Sequence, residues 1–320
     1  MSDHFIKNIE IKNFKCFDNF KAEGFGRVNL IGGKNNVGKT AFMEAVCGNI
    51  YTKSVPSFYT TLLYMTFIRE KLEFINKVIT VKDDQKLFEN IKSYESKTNI
   101  NHIKYDLLEE NGIKKYRFII KDKEHIINVN EFSYERNLLM NIIFLDNKGF
   151  TNTFLQKVYI AVQKKEKEEE LNKFLSNFDN NIQKFKMFDD SPECKLKNLE
   201  EYIKLSELGD GLKNYISIIC SLYSCSNSYL FLDELDSGIH YSRLDKLWEI
   251  ILKISKQQNV QVFATTHSKE CIESYARVAK KLEDEEIRFI ELFKHEDKIK
   301  TMVLDNEMLQ LQLKQNHEVR

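Results

Sequence analysis

Residues 33–40 read Gly33-Lys34-Asn35-Asn36-Val37-Gly38-Lys39-Thr40, a complete G-x-x-x-x-G-K-[ST] pattern. The apolar segment 27–31 before it predicts a strand, and the apolar residues behind it predict a helix through about Tyr51. Glycines at these places let backbone N–H groups and the helix N-terminus face an anion. The pattern therefore predicts a phosphate loop, with Lys39 directed at the β- and γ-phosphates and Thr40 at Mg²⁺.

A second apolar strand ends in two carboxylates, in the segment Tyr229-Leu230-Phe231-Leu232-Asp233-Glu234. This pattern predicts a buried parallel strand whose carboxyl end lies beside the phosphate loop. From there Asp233 would hold Mg²⁺ through water, and Glu234 would orient and deprotonate the attacking water. An ordinary strand end with solvated acids is the simpler alternative.

Two further segments carry polar residues at the ends of predicted elements. The segment Ser206-Glu207-Leu208-Gly209-Asp210-Gly211-Leu212-Lys213 precedes an apolar helix and has the chemistry of an anion-binding helix N-terminus, although a simple helix cap would use the same residues. The segment Ala264-Thr265-Thr266-His267-Ser268 ends the next strand. That position points His267 toward the γ-phosphate, and a polar core histidine is the simpler alternative. Asp236 follows the Asp233–Glu234 pair in a loop able to meet a neighbour.

The composition limits the class of protein. The 320 residues have a formal net charge of zero, with 42% hydrophobic and 30% charged residues, which supports a sizeable core and excludes a disordered chain. Zero net charge disfavours broad coating of nucleic acid. No segment approaches the roughly 18 apolar residues of a membrane helix, and no secretory signal is recognisable. The six cysteines lack paired spacing, so we expect reduced thiols in a cytoplasmic protein without a membrane partner.

The order of predicted elements divides the chain. Strands alternate with helices after residue 200, which implies a mostly parallel sheet flanked by helices. The middle is less periodic, with predicted helices at 58–75 and 151–180, predicted strands at 103–108, 115–120 and 141–145, and the turn dipeptide Asn111-Gly112. We therefore predict a core of residues 1–52 and 195–320, with an inserted antiparallel β and helical lobe at residues 53–194.

Taken together, these motifs resemble the ABC-type ATPase head of SMC, RecF and related proteins. Within that class the sequence is most similar to the OLD (overcoming lysogenization defect)-like ATPases. The resemblance covers residues 1–50 and 195–275 well and the middle only loosely. The matching parts are an opening turn (13–17, Asn13-Phe14-Lys15-Cys16-Phe17), a signature segment (206–211, with Leu208-Gly209-Asp210-Gly211), a D-loop segment (236–240, Asp236-Ser237-Gly238-Ile239-His240) and a His switch (262–268).

The resemblance implies an α/β P-loop NTPase of the ABC type in which two chains enclose two ATP molecules. Each phosphate loop would face the signature segment of the other chain, and the implied cofactors are ATP and Mg²⁺. The implied catalytic residues are Glu234 and His267, and the implied metal-binding residues are Thr40 and Asp233. The implied nucleotide-binding residues are Lys15, Phe17, Gly33, Asn35, Asn36, Val37, Gly38, Lys39, Thr40, Ala41, Ser206, Gly209, Gly211 and Asp236.

Several features of these classes are not recognisable in the sequence. The residues after His267 hold no spaced acidic set of a Toprim nuclease, and no heptad pattern predicts coiled-coil arms. The glutamine that ABC ATPases use between the sheet and the inserted lobe cannot be placed. We therefore expect a Mg²⁺-dependent ATPase that acts as a nucleotide-gated clamp or sensor. The expected assembly is a homodimer in the ATP-bound state, with a higher oligomer as the alternative. A separate effector, such as a nuclease or toxin, would act with it in phage defence or DNA repair.

Two other functions use similar residues. An ATP-binding scaffold or antitoxin-like module with little hydrolysis is the main alternative, and Glu234 and His267 disfavour it because such a module does not need them. A small-molecule kinase is disfavoured because Arg243 and Arg277 are scattered rather than clustered in a lid.

Nucleic acid stays a candidate partner. A small basic and aromatic edge would be formed by Lys184, Lys186, Lys195, Lys197, Phe185 and Phe188. Solvated lysines on a strand whose aromatic side chains face the core are the simpler alternative.

Overall fold

A computed structural model describes residues 3–67, 91–128, 142–145 and 151–315. The part of the predicted helix 58–75 beyond residue 67, and Asn141 of the predicted strand 141–145, lie outside the described residues.

The described elements are strands and helices in mixed order. The strands are β1 (Asn8–Phe14), β2 (Phe17–Glu23), β3 (Val28–Gly32), β4 (Ser93–Thr98), β5 (His102–Glu110), β6 (Ile113–Ile120), β7 (Lys123–Asn128), β8 (Ile142–Leu145), β9 (Ile182–Phe188), β10 (Ser191–Leu196), β11 (Tyr202–Lys204), β12 (Tyr229–Leu232), β13 (Gln261–Thr265), β14 (Ile287–His295) and β15 (Lys298–Leu304). The helices are α1 (Lys39–Tyr51), α2 (Val55–Phe67), α3 (Asn152–Lys164), α4 (Glu168–Phe178), α5 (Asp210–Ser224), α6 (Leu244–Gln258), α7 (Lys269–Lys281) and α8 (Asn306–Lys314). Short 3-10 turns span Leu205–Glu207 and Tyr241–Arg243.

The central sheet is mostly parallel and has the strand order β15-β14-β3-β13-β12-β8. All of its strand pairs are parallel except β14 with β15. Every residue of β3, β12 and β13 is buried, as expected of strands covered on both faces. This arrangement confirms the predicted mostly parallel α/β sheet.

Alternate residues of β3 enter two separate hydrophobic cores. Val28 and Leu30 pack on the side of helices α3 to α8. Ile31 packs on the other side with α1, α2 and the strands of a second, antiparallel sheet. The carboxyl ends of β3, β12 and β13 therefore lie at one edge of the central sheet, and a hydrophobic core packs on each face of that sheet.

The second sheet is antiparallel, with the order β2-β1-β4-β5-β6-β7. Its hairpin turn between β5 and β6 has positive φ at Asn111 and Gly112 (53° and 76°), as the type I′ prediction requires. The first two strands come from the predicted core, whereas β4 to β7 come from the predicted lobe. Conversely, β8 of the predicted lobe joins the central sheet beside β12. The pairing of β1 with β4 and of β8 with β12 thus joins strands from both sides of the predicted boundaries near residues 52 and 195. The division of the chain into domains stays a prediction.

Two predicted elements differ from the observed ones. The helical stretch 151–180 consists of α3 and α4, separated at Glu166, which has φ 55°. The alternating apolar residues 5–11 predict an opening strand, but the observed strand begins at Asn8, and it continues to Phe14 because a hairpin with β2 extends the pairing. In the described ranges, no helix combines the length and the apolar character that a bilayer-spanning segment needs.

Candidate nucleotide site

The phosphate loop lies between β3 and the first turn of α1, as predicted. Gly38 precedes the helix with φ 99°, and no side chain caps the N-terminus of α1. A Cβ at Gly38 would lie 2.5 Å from Cys16 Sγ, and one at Gly33 would lie 2.3 Å from the carbonyl oxygen of Leu292. Only glycine fits such close approaches, so the loop can wrap an anion with its backbone N–H groups.

Lys39 is held inside the loop. Its Nζ donates hydrogen bonds to the carbonyl oxygens of Gly33 (2.7 Å) and Lys34 (3.1 Å), and lies 3.1 Å from His267 Nδ1. Burial lowers the pKa of Lys39 to about 8, and the negative charges of Asp233 and Glu234 oppose this shift. A weakly solvated ammonium beside uncapped N–H groups is suited to an anionic ligand.

Asp233 and Thr40 lie side by side, as the sequence predicts for a metal-binding pair. The hydroxyl of Thr40 donates to the Asp233 carboxylate at 3.0 Å, and the hydroxyl of Thr265 donates to it at 2.6 Å. Burial raises the pKa of Asp233, and these hydroxyl donors oppose the shift. A half-buried carboxylate next to a hydroxyl oxygen is a donor set that fits Mg²⁺.

Glu234 and His267 are adjacent at the same edge of the sheet. Glu234 has φ 48°, an uncommon conformation for a residue with a Cβ, and its amide donates to Thr265 Oγ1 at 2.8 Å. His267 Nε2 lies 3.7 Å from Glu234 Oε1, and the two side chains are 42% and 38% exposed. A constrained backbone therefore directs an accessible carboxylate away from the sheet, beside a histidine that reaches Lys39.

The remaining loop residues divide into exposed and buried side chains. Asn35 and Asn36 are exposed, whereas Val37 and Ala41 are only 7% and 2% exposed. The Val37 and Ala41 side chains belong to the core on the α1 side of the central sheet. Any contact of these two positions with a ligand therefore comes from their backbone.

The opening turn packs directly on the phosphate loop. Phe17 is 1% exposed, and its ring lies 3.3 Å from a Cβ built on Gly38, so its side chain packs against the phosphate loop. Lys15 instead forms an ion pair with Glu44 of α1. Sequence reasoning missed Glu44. The available signal was an acid four residues after Thr40, which is the only acidic residue of α1.

The signature segment packs against the D-loop segment of the same chain. Gly211 is so close to the D-loop that a Cβ there would lie 2.2 Å from the carbonyl oxygen of Gly238. Gly209 precedes α5 with φ 89° and ψ 156°, a region open essentially to glycine alone. Ser206 is exposed in the 3-10 turn before it. Asp236 accepts a hydrogen bond from Thr266 Oγ1 at 2.8 Å, which ties the D-loop to the end of β13.

A cleft of about 510 Å³ opens beside the signature segment. Gly209, Gly211, Gly238 and His240 are among its lining residues, and none of the lining residues in the described ranges belongs to the phosphate loop. The structure thus joins the phosphate loop, Asp233, Glu234 and His267 at one place, and groups the signature residues at another.

The predicted basic edge lies on the three-stranded sheet β11-β10-β9. Lys184 pairs across the strands with Lys195, and Phe185 opposes Cys194 in the core. Phe188 is 44% exposed. One of the two aromatic side chains therefore faces the core, and nucleic-acid binding stays a prediction.

A family model described as "AAA domain, putative AbiEii toxin, Type IV TA system" matches residues 28–273, which include every motif at the edge of the central sheet. The chain belongs to this family.

Two kinds of relative extend the comparison. The chain is 28% identical to an "ATP/GTP phosphatase" of Helicobacter pylori, over 84% of this chain and 86% of the relative. A solved structure of the "SmcHead bound to the C-winged helix domain of ScpA" is 12% identical, with a TM-score of 0.54 over 96% of this chain and 99% of that one. The SMC head domain from Thermotoga maritima has a TM-score of 0.49 at 16% identity, over 93% of this chain and 98% of that one.

These findings confirm the P-loop NTPase fold and the broad likeness to SMC-type heads. The narrower likeness to OLD-like ATPases stays a prediction, as do the roles assigned to single residues.

Proposed function

We propose that this protein is a Mg²⁺-dependent ATPase whose two copies close around shared ATP and open after hydrolysis. The observation that carries the proposal is the separation described above. Lys39, Asp233, Glu234 and His267 lie together at one edge of the central sheet. The signature segment at the N-terminus of α5 instead lines a separate cleft. A second copy can bring its signature segment to the first copy's phosphate loop.

The chain's own residues divide the chemistry between them. Lys39 and the N-terminus of α1 bind the phosphates. Thr40 and Asp233 would hold Mg²⁺, which when bound neutralises charge on the phosphate oxygens. Glu234 would orient the attacking water and accept its proton, because its carboxylate is accessible at the edge of the sheet. His267 would meet the γ-phosphate from the end of β13, between Lys39 and Glu234.

The biological setting is part of the same proposal. The family description names a toxin and a toxin–antitoxin system, and the H. pylori relative is named for phosphatase action on ATP and GTP. These names support an NTPase that works with a separate effector, such as a nuclease or toxin, in phage defence. DNA repair is the second setting, with nucleic acid as a further candidate partner.

The Glu234→Gln variant tests the proposal. The amide keeps the shape of the side chain but cannot accept the water proton, so ATP should stay bound and hold two chains together. Sizing with and without ATP and Mg²⁺ should show a monomer without ATP and a dimer with it. Lys39→Ala is the matched control and should stay monomeric, because it removes the cation at the phosphates.

A Glu234→Gln protein that binds ATP and stays monomeric would contradict the shared site. A wild-type protein that dimerises with ATP without hydrolysing it would instead support the scaffold alternative.

A further inference from the structure

A buried carboxylate lies directly beneath the phosphate loop. Glu44 follows Thr40 by one turn of α1, and its side chain is fully buried. Burying an unpaired charge is costly, so such a group needs a close cation. The ion-pair partner of Glu44 is Lys15 of the opening turn.

The opening turn is fixed against the loop itself. Cys16 Sγ and the Phe17 ring lie 2.5 Å and 3.3 Å from a Cβ built on Gly38. Lys15 has φ 51°, and its side chain keeps 27% exposure. Lys15 therefore pairs with the buried Glu44 carboxylate while part of its side chain stays in contact with solvent, on a turn whose next two residues pack on Gly38.

The charges at this point decide what Glu44 does. Without Lys15, a buried anion one helical turn below the loop would repel a triphosphate. Lys15 also lies over the Phe14 ring at 5.3 Å, and its pairing with Glu44 restricts this long side chain further, which lowers the entropy that a ligand must remove. The pair removes the repulsion and fixes the cation before a ligand arrives.

We infer that Glu44 is a positioning residue, which holds the Lys15 ammonium where it meets the phosphates of the bound nucleotide. This inference rests on the proposed function and deepens it, because it adds a second fixed cation beside Lys39. It concerns affinity for the nucleotide and leaves the role of Glu234 in hydrolysis unchanged.

A double-mutant cycle on Glu44→Gln and Lys15→Met tests the inference. The measurement is the dissociation constant of a fluorescent ATP analogue with Mg²⁺, together with KM and kcat for ATP. Each single variant should weaken binding by about tenfold and raise KM with little change in kcat. The double variant should bind no more weakly than the weaker single one, because both changes remove the same interaction. Lys15→Arg should restore most of the affinity.

An ion pair on the strand that precedes the opening turn is the matched control. Lys12 of β1 pairs with Glu95 at 3.2 Å, and the two side chains are 44% and 23% exposed. Lys12→Met and Glu95→Gln should leave the affinity for the ATP analogue unchanged.

Three results would overturn the inference. Tighter binding by Glu44→Gln would mean that Glu44 only repels the nucleotide, and additive losses would mean that the two residues act separately. Unchanged affinity in Lys15→Met would overturn it even if Glu44→Gln failed to fold. If wild type binds the analogue and Lys39→Ala does not, such results refute this inference alone. If wild type binds no analogue, the proposed function fails first.

Discussion

The phosphate-loop edge and the signature segment each present a helix N-terminus without a side-chain cap, but they are assembled differently. At the first, side chains from the ends of β12 and β13 and from α1 already contact one another: Lys39 reaches His267, and Thr40 and Thr265 donate to Asp233. At the second, a helix N-terminus without a side-chain cap packs with Gly211 on Gly238, and Asn214 donates to the carbonyl oxygen of Ser237 at 2.9 Å. The first region brings charged side chains into contact, whereas the second places a helix N-terminus beside an open cleft.

Under the proposed function, the signature segment meets a nucleotide that is held by the phosphate loop of a second chain. Both regions depend on glycine, because a Cβ at Gly38 would lie 2.5 Å from Cys16 Sγ and one at Gly211 would lie 2.2 Å from the carbonyl oxygen of Gly238.

The largest expected effect comes from substitutions in the signature segment. Gly211→Ala places a Cβ against the carbonyl oxygen of Gly238, so the turn must move. We expect a loss of about 1–3 kcal/mol in the free energy of unfolding, as for overpacking elsewhere. We also expect at least a tenfold drop in ATP hydrolysis with normal affinity for an ATP analogue, since the phosphate loop is untouched. Thermal unfolding, hydrolysis and binding measured on one preparation check this.

A pair of glycines separates strain from function. Gly209 and Gly112 have φ 89° and 76°, and a Cβ at either has no neighbour within 4 Å. Alanine at each should cost roughly 1–3 kcal/mol in strain, with the larger cost at Gly209, whose φ and ψ are open essentially to glycine alone. Only Gly209→Ala should impair hydrolysis, because Gly112 lies in the remote β5–β6 turn. Equal hydrolysis by the two variants would contradict a role for the signature segment.

A smaller effect is expected from pH at the phosphate-loop edge. The pKa of Lys39 is about 8 without nucleotide, and bound phosphate favours the charged amine. Affinity for the ATP analogue should therefore be constant below pH 8 and fall above it, by at most about tenfold per pH unit. Binding at pH 8.5 should take up protons, as calorimetry in buffers of different ionisation enthalpy can show. Affinity that stays flat to pH 9.5, without proton uptake, would contradict this assignment.

Lys39 also makes the free energy of unfolding depend on pH, in the direction opposite to its effect on nucleotide affinity. Because the folded pKa of Lys39 is lower than its unfolded value of 10.5, the unfolded chain binds more protons between these values. The contribution of Lys39 to the free energy of unfolding should therefore rise with pH above about 8. The nucleotide-free protein loses affinity and gains this stability over the same range.

The sequence was most informative where chemistry lies at the ends of parallel strands. Asp233, Glu234 and His267 could be placed beside the phosphate loop because the carboxyl ends of neighbouring parallel strands share one edge. Thr265 stood inside a recognised motif, but its hydrogen bond to Asp233 depends on the register of β12 with β13.

Other features depend on contacts that no local pattern encodes. The pairing of β1 with β4 joins residues more than eighty positions apart, so the antiparallel sheet could not be assigned to one side of a domain boundary. Glu44 was missed because its partner Lys15 arrives on a turn whose position is set by packing against Gly38. Long-range pairing and turn packing are properties of the folded chain rather than of a short stretch of sequence.

The central claim is that one active site is built from two chains. The most direct measurement is ATP hydrolysis by an equimolar mixture of Lys39→Ala and Gly211→Ala. The first variant keeps an intact signature segment, and the second keeps an intact phosphate loop, so a mixed dimer contains one complete site. The account predicts that the mixture hydrolyses ATP well above the sum of the separate variants. Activity equal to that sum, with mixed dimers present, would contradict a site shared between two chains.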